Sequence, residues 1–318
     1  MQIGPYILQE KIGEGALGEV FRALNTLDSS QVAIKKLHAR LENDPKFIGI
    51  LQHEMLVASK LDHPNLLKML DFKAEPPHVY FVTKFVDGWP LKGLLKKVGR
   101  IPPLVALAIV YEVLKALDYL HLRDMIHADL SSGNILLNRD GSLVISDYGL
   151  VSDLATDRFK YELVGTPGYY SPEHVTSQAI GPYSDLYVVG LHLIEMINGV
   201  KPILLGRSRD HATEIFKLMN QYQPSLKCDS RTLSDALQQL LHGCLQIKPQ
   251  NRWPQAEHIA EIIVKILKIF GINNPVLAIR QYLYDCRFTS MCIEYEQPIY
   301  TGNVPYSVED LTLLSNSI

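Results

Sequence analysis

The chain has 318 residues, 47% of them hydrophobic and 20% charged, with a formal net charge of -3. That balance fits one large folded domain or two lobes around a cleft, and it excludes a disordered chain. The weak negative charge argues against nucleic acid as a partner and against a charged membrane surface. In chain order, Tyr6 to Ile12, Glu19 to Leu24 and Gln31 to Leu37 read as strands: short apolar and β-branched runs separated by turn formers. A helix is expected from Asp44 to Leu61, with Phe47, Leu51, Met55 and Ala58 near one face. His63-Pro64-Asn65 stops it, because proline disfavours helix in the residue before it. Strands are expected again over Leu66 to Phe72 and His78 to Val86, and Asp87-Gly88 breaks the pattern. Helices then dominate: Leu104 to Leu122, Ser184 to Asn198, His211 to Gln221, Leu233 to Leu245 and Gln255 to Phe270. From Gly271 on the sequence is tyrosine-rich, with no clear periodicity. The expected fold class is α+β, a small β-rich lobe before a larger helical one, with ligands in the cleft between them.

Cys228, Cys244, Cys286 and Cys292 form no Cys-x-x-Cys pair and no zinc spacing, and they read as reduced thiols. Strand-like sequence follows Met1 almost at once, so no signal peptide is expected, and a cytoplasmic location follows. The apolar run 259–269 carries Glu261, Lys265 and Lys268, which marks an amphipathic helix rather than a membrane span.

Several groups of residues carry chemistry. Gly13, Gly15 and Gly18 lie between two strands, flanked by Ile12 and Val20. Glycines there let backbone N–H groups approach a phosphate, although an unliganded hairpin turn accounts for them equally. Lys35 sits in Val32-Ala33-Ile34-Lys35; a cleft-facing cation and a solvent-facing lysine are the two readings, and Lys36 must point to the opposite face. Glu54 on the following helix and Glu42 before it are candidate ion-pair partners, and an exposed charge is the ordinary reading of either. Asp129 and Asn134 precede the strand-like Ile135-Leu136-Leu137, and Asp147 follows Leu143-Val144-Ile145. A plain β-hairpin turning at Asp140-Gly141 is the bland reading of this stretch. Two carboxylates and a carboxamide on neighbouring loops are also the set that phosphoryl transfer needs.

His127-Ala128-Asp129-Leu130-Ser131-Ser132-Gly133-Asn134 and Asp147-Tyr148-Gly149 resemble the catalytic loop and Asp-Phe-Gly motif of eukaryotic-type protein kinases of the serine/threonine kind. Further motifs follow in family order from Gly13 to Arg252: Gly165 to Glu173 resembles the peptide-positioning loop, and Ser184 to Gly190 the start of the central helix. The resemblance implies a bilobal kinase fold, with residues 1–86 and 87–270 as the two lobes; the stretch 271–318, too aromatic for a solvated linker, reads as an extension that packs on the helical lobe or docks a partner. It implies ATP and magnesium as cofactors and proteins as substrates. Asp129 would be the base, Asn134 and Asp147 the metal ligands, and Lys35 the phosphate anchor fixed by Glu54. Ile12, Gly13, Gly15, Gly18, Val20, Ala33, Thr83, Lys84 and Val86 would line the nucleotide. Thr166 would help orient Asp129, Asp185 would brace the loop, and Glu173 would pair with Arg252.

The chain departs from the family at charged positions. Ser131 and Gly133 stand where kinases carry a lysine or an arginine, and Ala128 stands where an arginine is common. Slowed transfer is therefore expected, since one lost donor costs ~10²–10³ in rate; a nucleotide-binding pseudokinase is the alternative. Activity independent of activation-loop phosphorylation is expected as well, and Arg158 or Lys160 are candidate substitutes for the missing cation. A small-molecule phosphotransferase of the same superfamily would lack the loop from Gly165 to Glu173.

Overall fold

The computed structural model describes residues 1–14, 18–73, 75, 78–148, 152–153, 166, 168–176, 178–202, 219–220 and 224–286. The first lobe is a six-stranded sheet in which every pairing is antiparallel. Its strands are β1 (Gln2–Ile3), β2 (Tyr6–Glu14), β3 (Gly18–Asn25), β4 (Gln31–Leu37), β5 (Met69–Lys73) and β6 (Tyr80–Lys84), in the order β1-β2-β3-β4-β6-β5. The interior strand β6, between β4 and β5, is buried from Tyr80 to Thr83, as its unbroken apolar run requires. The strand expected from Leu66 begins only at Met69. As the sheet's edge, β5 leaves Leu70 and Phe72 exposed.

Helix α1 (Pro45–Ala58) lies against the sheet. Its Leu51 and Met55 join Leu37, Val79 and Phe81 in a small core, with Phe47 partly buried beside them. The same face carries one acid, Glu54, only 2% exposed. Asn65 ties this lobe to the next. Its amide donates to Glu112 Oε2 at 2.8 Å and to the Leu143 carbonyl at 3.0 Å.

After β7 (Gly88–Pro90) and α2 (Leu91–Val98) the chain becomes helical. Helices α3 (Pro103–His121) and α5 (Pro182–Asn198) are apolar on nearly all sides and form the centre of the second lobe. Between them lie β8 (Met125–Ile126), the hairpin β9 (Ile135–Asn138) and β10 (Leu143–Ile145), then β11 (Ser152–Asp153) and the one-turn α4 (Pro172–Val175). The hairpin turns at Gly141 with φ +85°, a left-handed value that glycine adopts freely. Helices α6 (Arg231–Cys244) and α7 (Ala256–Ile269) are amphipathic and bury Leu237, Leu241, Ile259, Ile263 and Ile266 in the same core. Among the described residues no helix is long and apolar enough to cross a membrane.

Two helices longer than a single turn were not expected. Helix α2 buries Leu91, Leu94 and Leu95, but its lysines hide the pattern. The reading of 271 onward as aperiodic is corrected by α8 (Pro275–Asp285). Asn274 caps it by accepting the Leu277 N–H at 3.1 Å, and Ala278, Ile279, Tyr282 and Leu283 pack it on α3. The spacing of those four is helical; counting the tyrosines as polar obscured it. Of the expected helix His211 to Gln221, only residues 219–220 are described, and they are helical.

Candidate active site

The hairpin β2–β3 closes on the pairs Gly13–Val20 and Glu14–Glu19, and Gly15 lies outside the described residues. Gly18 passes so close to the next strand that a Cβ there would overlap the Lys36 carbonyl. Antiparallel pairing then sets Val20 opposite Lys35, and Ala33 opposite the buried Thr83. Lys84 is exposed and its N–H donates to the Lys68 carbonyl at 3.0 Å, while Val86 leads into β7. Ile12 is 46% exposed at the mouth of this surface.

Lys35 and Lys36 point to opposite faces, as strand geometry demands. The Lys35 ammonium donates to both Glu54 oxygens, at 2.8 and 2.7 Å, and lies 3.5 Å from Asp147 Oδ1. Burial would lower the Lys35 pKa, but the Glu54 and Asp147 carboxylates outweigh it and hold the amine above its ordinary value. Glu42 sits instead 3.7 Å from His78. Thus residues from β4, α1 and the loop after β10 meet at one ammonium.

Asp129 and Asn134 lie on the loop between β8 and β9. The Asp129 carboxylate accepts both the Thr166 N–H, at 2.8 Å, and its hydroxyl, at 2.7 Å. The Asn134 amide donates to the Asp129 carbonyl at 2.9 Å. Burial raises the Asp129 pKa against the opposing pull of Thr166. The loop is held from beneath by Asp185. That carboxylate accepts the N–H groups of His127 and Ala128, at 2.9 and 3.0 Å, and lies 2.9 Å from His121 Nε2. Burial alone would raise the Asp185 pKa; the histidines and backbone donors bring it below the usual range. The brace fixes Ala128 at φ +61° and so sets the direction of the next residue, Asp129. Asp147 is also left-handed, at φ +69°. Tyr148 donates its hydroxyl to the carbonyls of Leu67 and Ile145, both at 3.0 Å, which supplies the partner a buried tyrosine needs.

Below this surface Glu173 and Arg252 form a two-pronged pair, at 2.7 and 2.8 Å. The remaining Arg252 N–H groups go to the carbonyls of Gln246, Tyr183 and Ile247. Ser184 Oγ donates to Glu173 Oε1 at 2.6 Å.

Sequence reasoning missed His121, Ser184 and a group around Tyr169, whose hydroxyl contacts Ser132 Oγ at 2.6 Å and donates to Glu195 at 2.7 Å. Nothing local marks them, because their partners lie far away in sequence. Arg158 and Lys160 lie outside the described residues.

The donor set fits a magnesium nucleotide. Asp147 and Asn134 offer the carboxylate and amide oxygens that this hard cation prefers, and Lys35 offers a phosphate-pairing ammonium.

A family model described as protein kinase domain matches residues 6–263. Mouse serine/threonine-protein kinase PAK 1 is 30% identical over 269 residues, which cover 84% of this chain and 48% of that protein. Serine/threonine-protein kinase pak-1 of Caenorhabditis elegans is 31% identical over 261 residues, 81% of this chain and 44% of the relative. Serine/threonine-protein kinase STE20 of Candida glabrata is 32% identical over 247 residues, 76% and 26% respectively. The chain therefore spans about half or less of the length of these relatives.

Proposed function

This chain belongs to the protein kinase family, and on that premise we propose that it transfers the γ-phosphate of ATP, with magnesium, to serine or threonine hydroxyls of proteins. The observation that carries the reading is the convergence of Lys35, Glu54 and Asp147 on one side and Asp129, Thr166 and Asn134 on the other. Asp147 and Asn134 would hold the metal, which when bound offsets the charge of the phosphates. Asp129 orients the acceptor hydroxyl and takes its proton; its raised pKa makes it a better base than a solvated carboxylate. Thr166 holds one Asp129 oxygen, so the other is directed at the acceptor. Glu54 keeps Lys35 extended toward the phosphates. The catalysis is positioning and fixed charge, as phosphoryl transfer requires.

The same proposal divides the chain at residues 86 and 270, and treats 271–318 as an extension whose described helix α8 packs on α3. It also places the protein in the cytoplasm; the free thiols Cys228, Cys244 and Cys286 accord with a reducing setting.

One observation favours a second reading, a nucleotide-binding module without transfer. Between Asp129 and Asn134 the loop offers Leu130, Ser131, Ser132 and Gly133, and Ser131 is only 5% exposed. Transfer from γ-labelled ATP to a generic basic protein separates the two. The expected result is measurable transfer that drops by ~10²–10⁴ in Asp129→Asn, the usual worth of a general base. No transfer, with ATP still raising the melting temperature, would establish the second reading.

A further inference from the structure

The loop between Asp129 and Asn134 has no cation of its own, but Lys92 touches it through its backbone and Lys201 lies against Tyr169 beside it. Lys92, near the start of α2, donates its backbone N–H to the Ser132 carbonyl at 2.8 Å, and its side chain is exposed. Lys201 follows α5, where Gly199 at φ +77° turns the chain back. The Lys201 ammonium lies 4.2 Å from the centroid of the Tyr169 ring. His192 stacks on that ring at 4.7 Å, and the Tyr169 hydroxyl contacts Ser132 Oγ, three residues beyond Asp129. Tyr169 itself stands three residues after Thr166, the residue that grips Asp129.

Lys201 is thus held on an aromatic face beside the reacting loop, partly stripped of water. Burial lowers its pKa and the Lys92 charge adds to that, while Glu195 opposes both, so the two ammoniums share one local field. Glu195 is 7% exposed and receives the Tyr169 hydroxyl. Lys92 is exposed and Lys201 partly so, while the Glu195 carboxylate is buried. A cation already on an aromatic ring loses little further hydration when an anion approaches, and such contacts are stronger than neutral ones.

We propose that Lys201 and Lys92 form a cationic subsite beside Asp129 that selects acceptor proteins carrying an anionic side chain within a few residues of the target hydroxyl. The inference rests on the kinase reading, because it needs an acceptor segment lying over Asp129. It names the substrate class that reading leaves open: acidic or previously phosphorylated sequences rather than basic ones.

The test uses the full chain and four fluorescent serine peptides that differ only at the flanking positions, which are Glu, phosphoserine, Ala or Arg. Binding is read by anisotropy, and transfer from ATP is read separately. The Glu and phosphoserine peptides are expected to bind about tenfold more tightly than the Arg peptide, the scale of one charge-assisted contact. The preference should shrink at high salt. In Lys201→Met the ratio should fall toward one, in Lys201→Arg it should persist, and in Lys92→Met it should fall in part. Because Lys92 is exposed, its variant decides the question if Lys201→Met melts early. A wild-type ratio near one, or a preference for Arg, overturns the proposal. So does a ratio unmoved by both methionine variants, or a Lys201→Met variant that loses kcat equally for every peptide, which would place the lysine on the transferred phosphate. Binding does not require transfer: a preference that persists without any transfer supports the subsite and removes the kinase reading, while transfer without preference does the reverse.

Discussion

Two buried ion pairs in this molecule look alike and are built for different ends. Glu173 with Arg252 and Glu54 with Lys35 each set a nearly inaccessible carboxylate, 1% and 2% exposed, against a cation at 2.7 Å. In the first, all five Arg252 N–H donors are taken by protein oxygens and the arginine side chain is wholly covered. In the second, Lys35 remains 22% exposed and leans toward Asp147, whose side chain is 44% exposed. A pair with every donor satisfied can only hold the fold. A pair left partly open has capacity for a charged ligand, at some cost in stability.

The largest effect expected from this contrast is on folding. Arg252→Met leaves Glu173 buried without its cation and should cost ~3–5 kcal/mol in urea unfolding. A loss under about 1 kcal/mol would show that the closed pair contributes no more than a surface bridge. Asp147→Ala tests the open pair. Phosphate transfer should fall by at least ~10²–10³, while stability moves by about 1 kcal/mol or less, since the side chain is half exposed. A variant that unfolds early would erase the distinction between the two regions.

Acid titration should separate them further, because the signs differ. Burial works to raise the Glu173 pKa, but Arg252 and Ser184 bring it below its ordinary 4.5. Its contribution is therefore present above about pH 4.5 and disappears as pH falls through the lowered value. The stability gap between wild type and Glu173→Gln should narrow on acidification below that pH. Burial raises Asp129 above its ordinary 3.8, so its contribution is present below that value and is lost as pH rises through the raised one. Asp129→Asn should therefore be more stable than wild type near neutrality, with the gap closing in acid. Parallel curves for the two variants would contradict this account.

The smallest effect concerns strain. Ala128 is held at φ +61° by Asp185, a conformation that costs an L-residue ~1–2 kcal/mol. Ala128→Gly should stabilise the fold by about 0.5–1 kcal/mol, because glycine's larger unfolded entropy returns part of the gain. Denaturant midpoints of the two proteins would show it.

Much of the first lobe was legible because its signals are local. The run Gln31 to Leu37 alternates and becomes β4 with the expected bounds, and the pattern Leu51, Met55, Ala58 becomes the buried face of α1. The edge strand β5 was misjudged at its start because the residues before it bond away from the sheet: the Leu66 N–H donates to the His63 carbonyl, the Leu67 N–H to the Ile145 carbonyl, and the Ile145 N–H to the Asn65 carbonyl. Helix α8 was missed because its buried stripe includes a tyrosine and its neighbours are polar.

By itself the sequence determined the α+β class, the order of elements and the residue types available for phosphoryl transfer, since these follow from periodicity and from chemistry carried within short windows. The kinase resemblance already named Glu54, Asp185 and Thr166 for their roles; only the tertiary structure decided the atoms through which they act, with Asp185 on the His127 and Ala128 N–H groups and Thr166 on one Asp129 oxygen, and brought Lys92 and Lys201 beside a loop with no cation of its own. Those pairings join residues tens of positions apart, and their geometry is fixed by how α1, α2 and α5 pack, which no local pattern encodes.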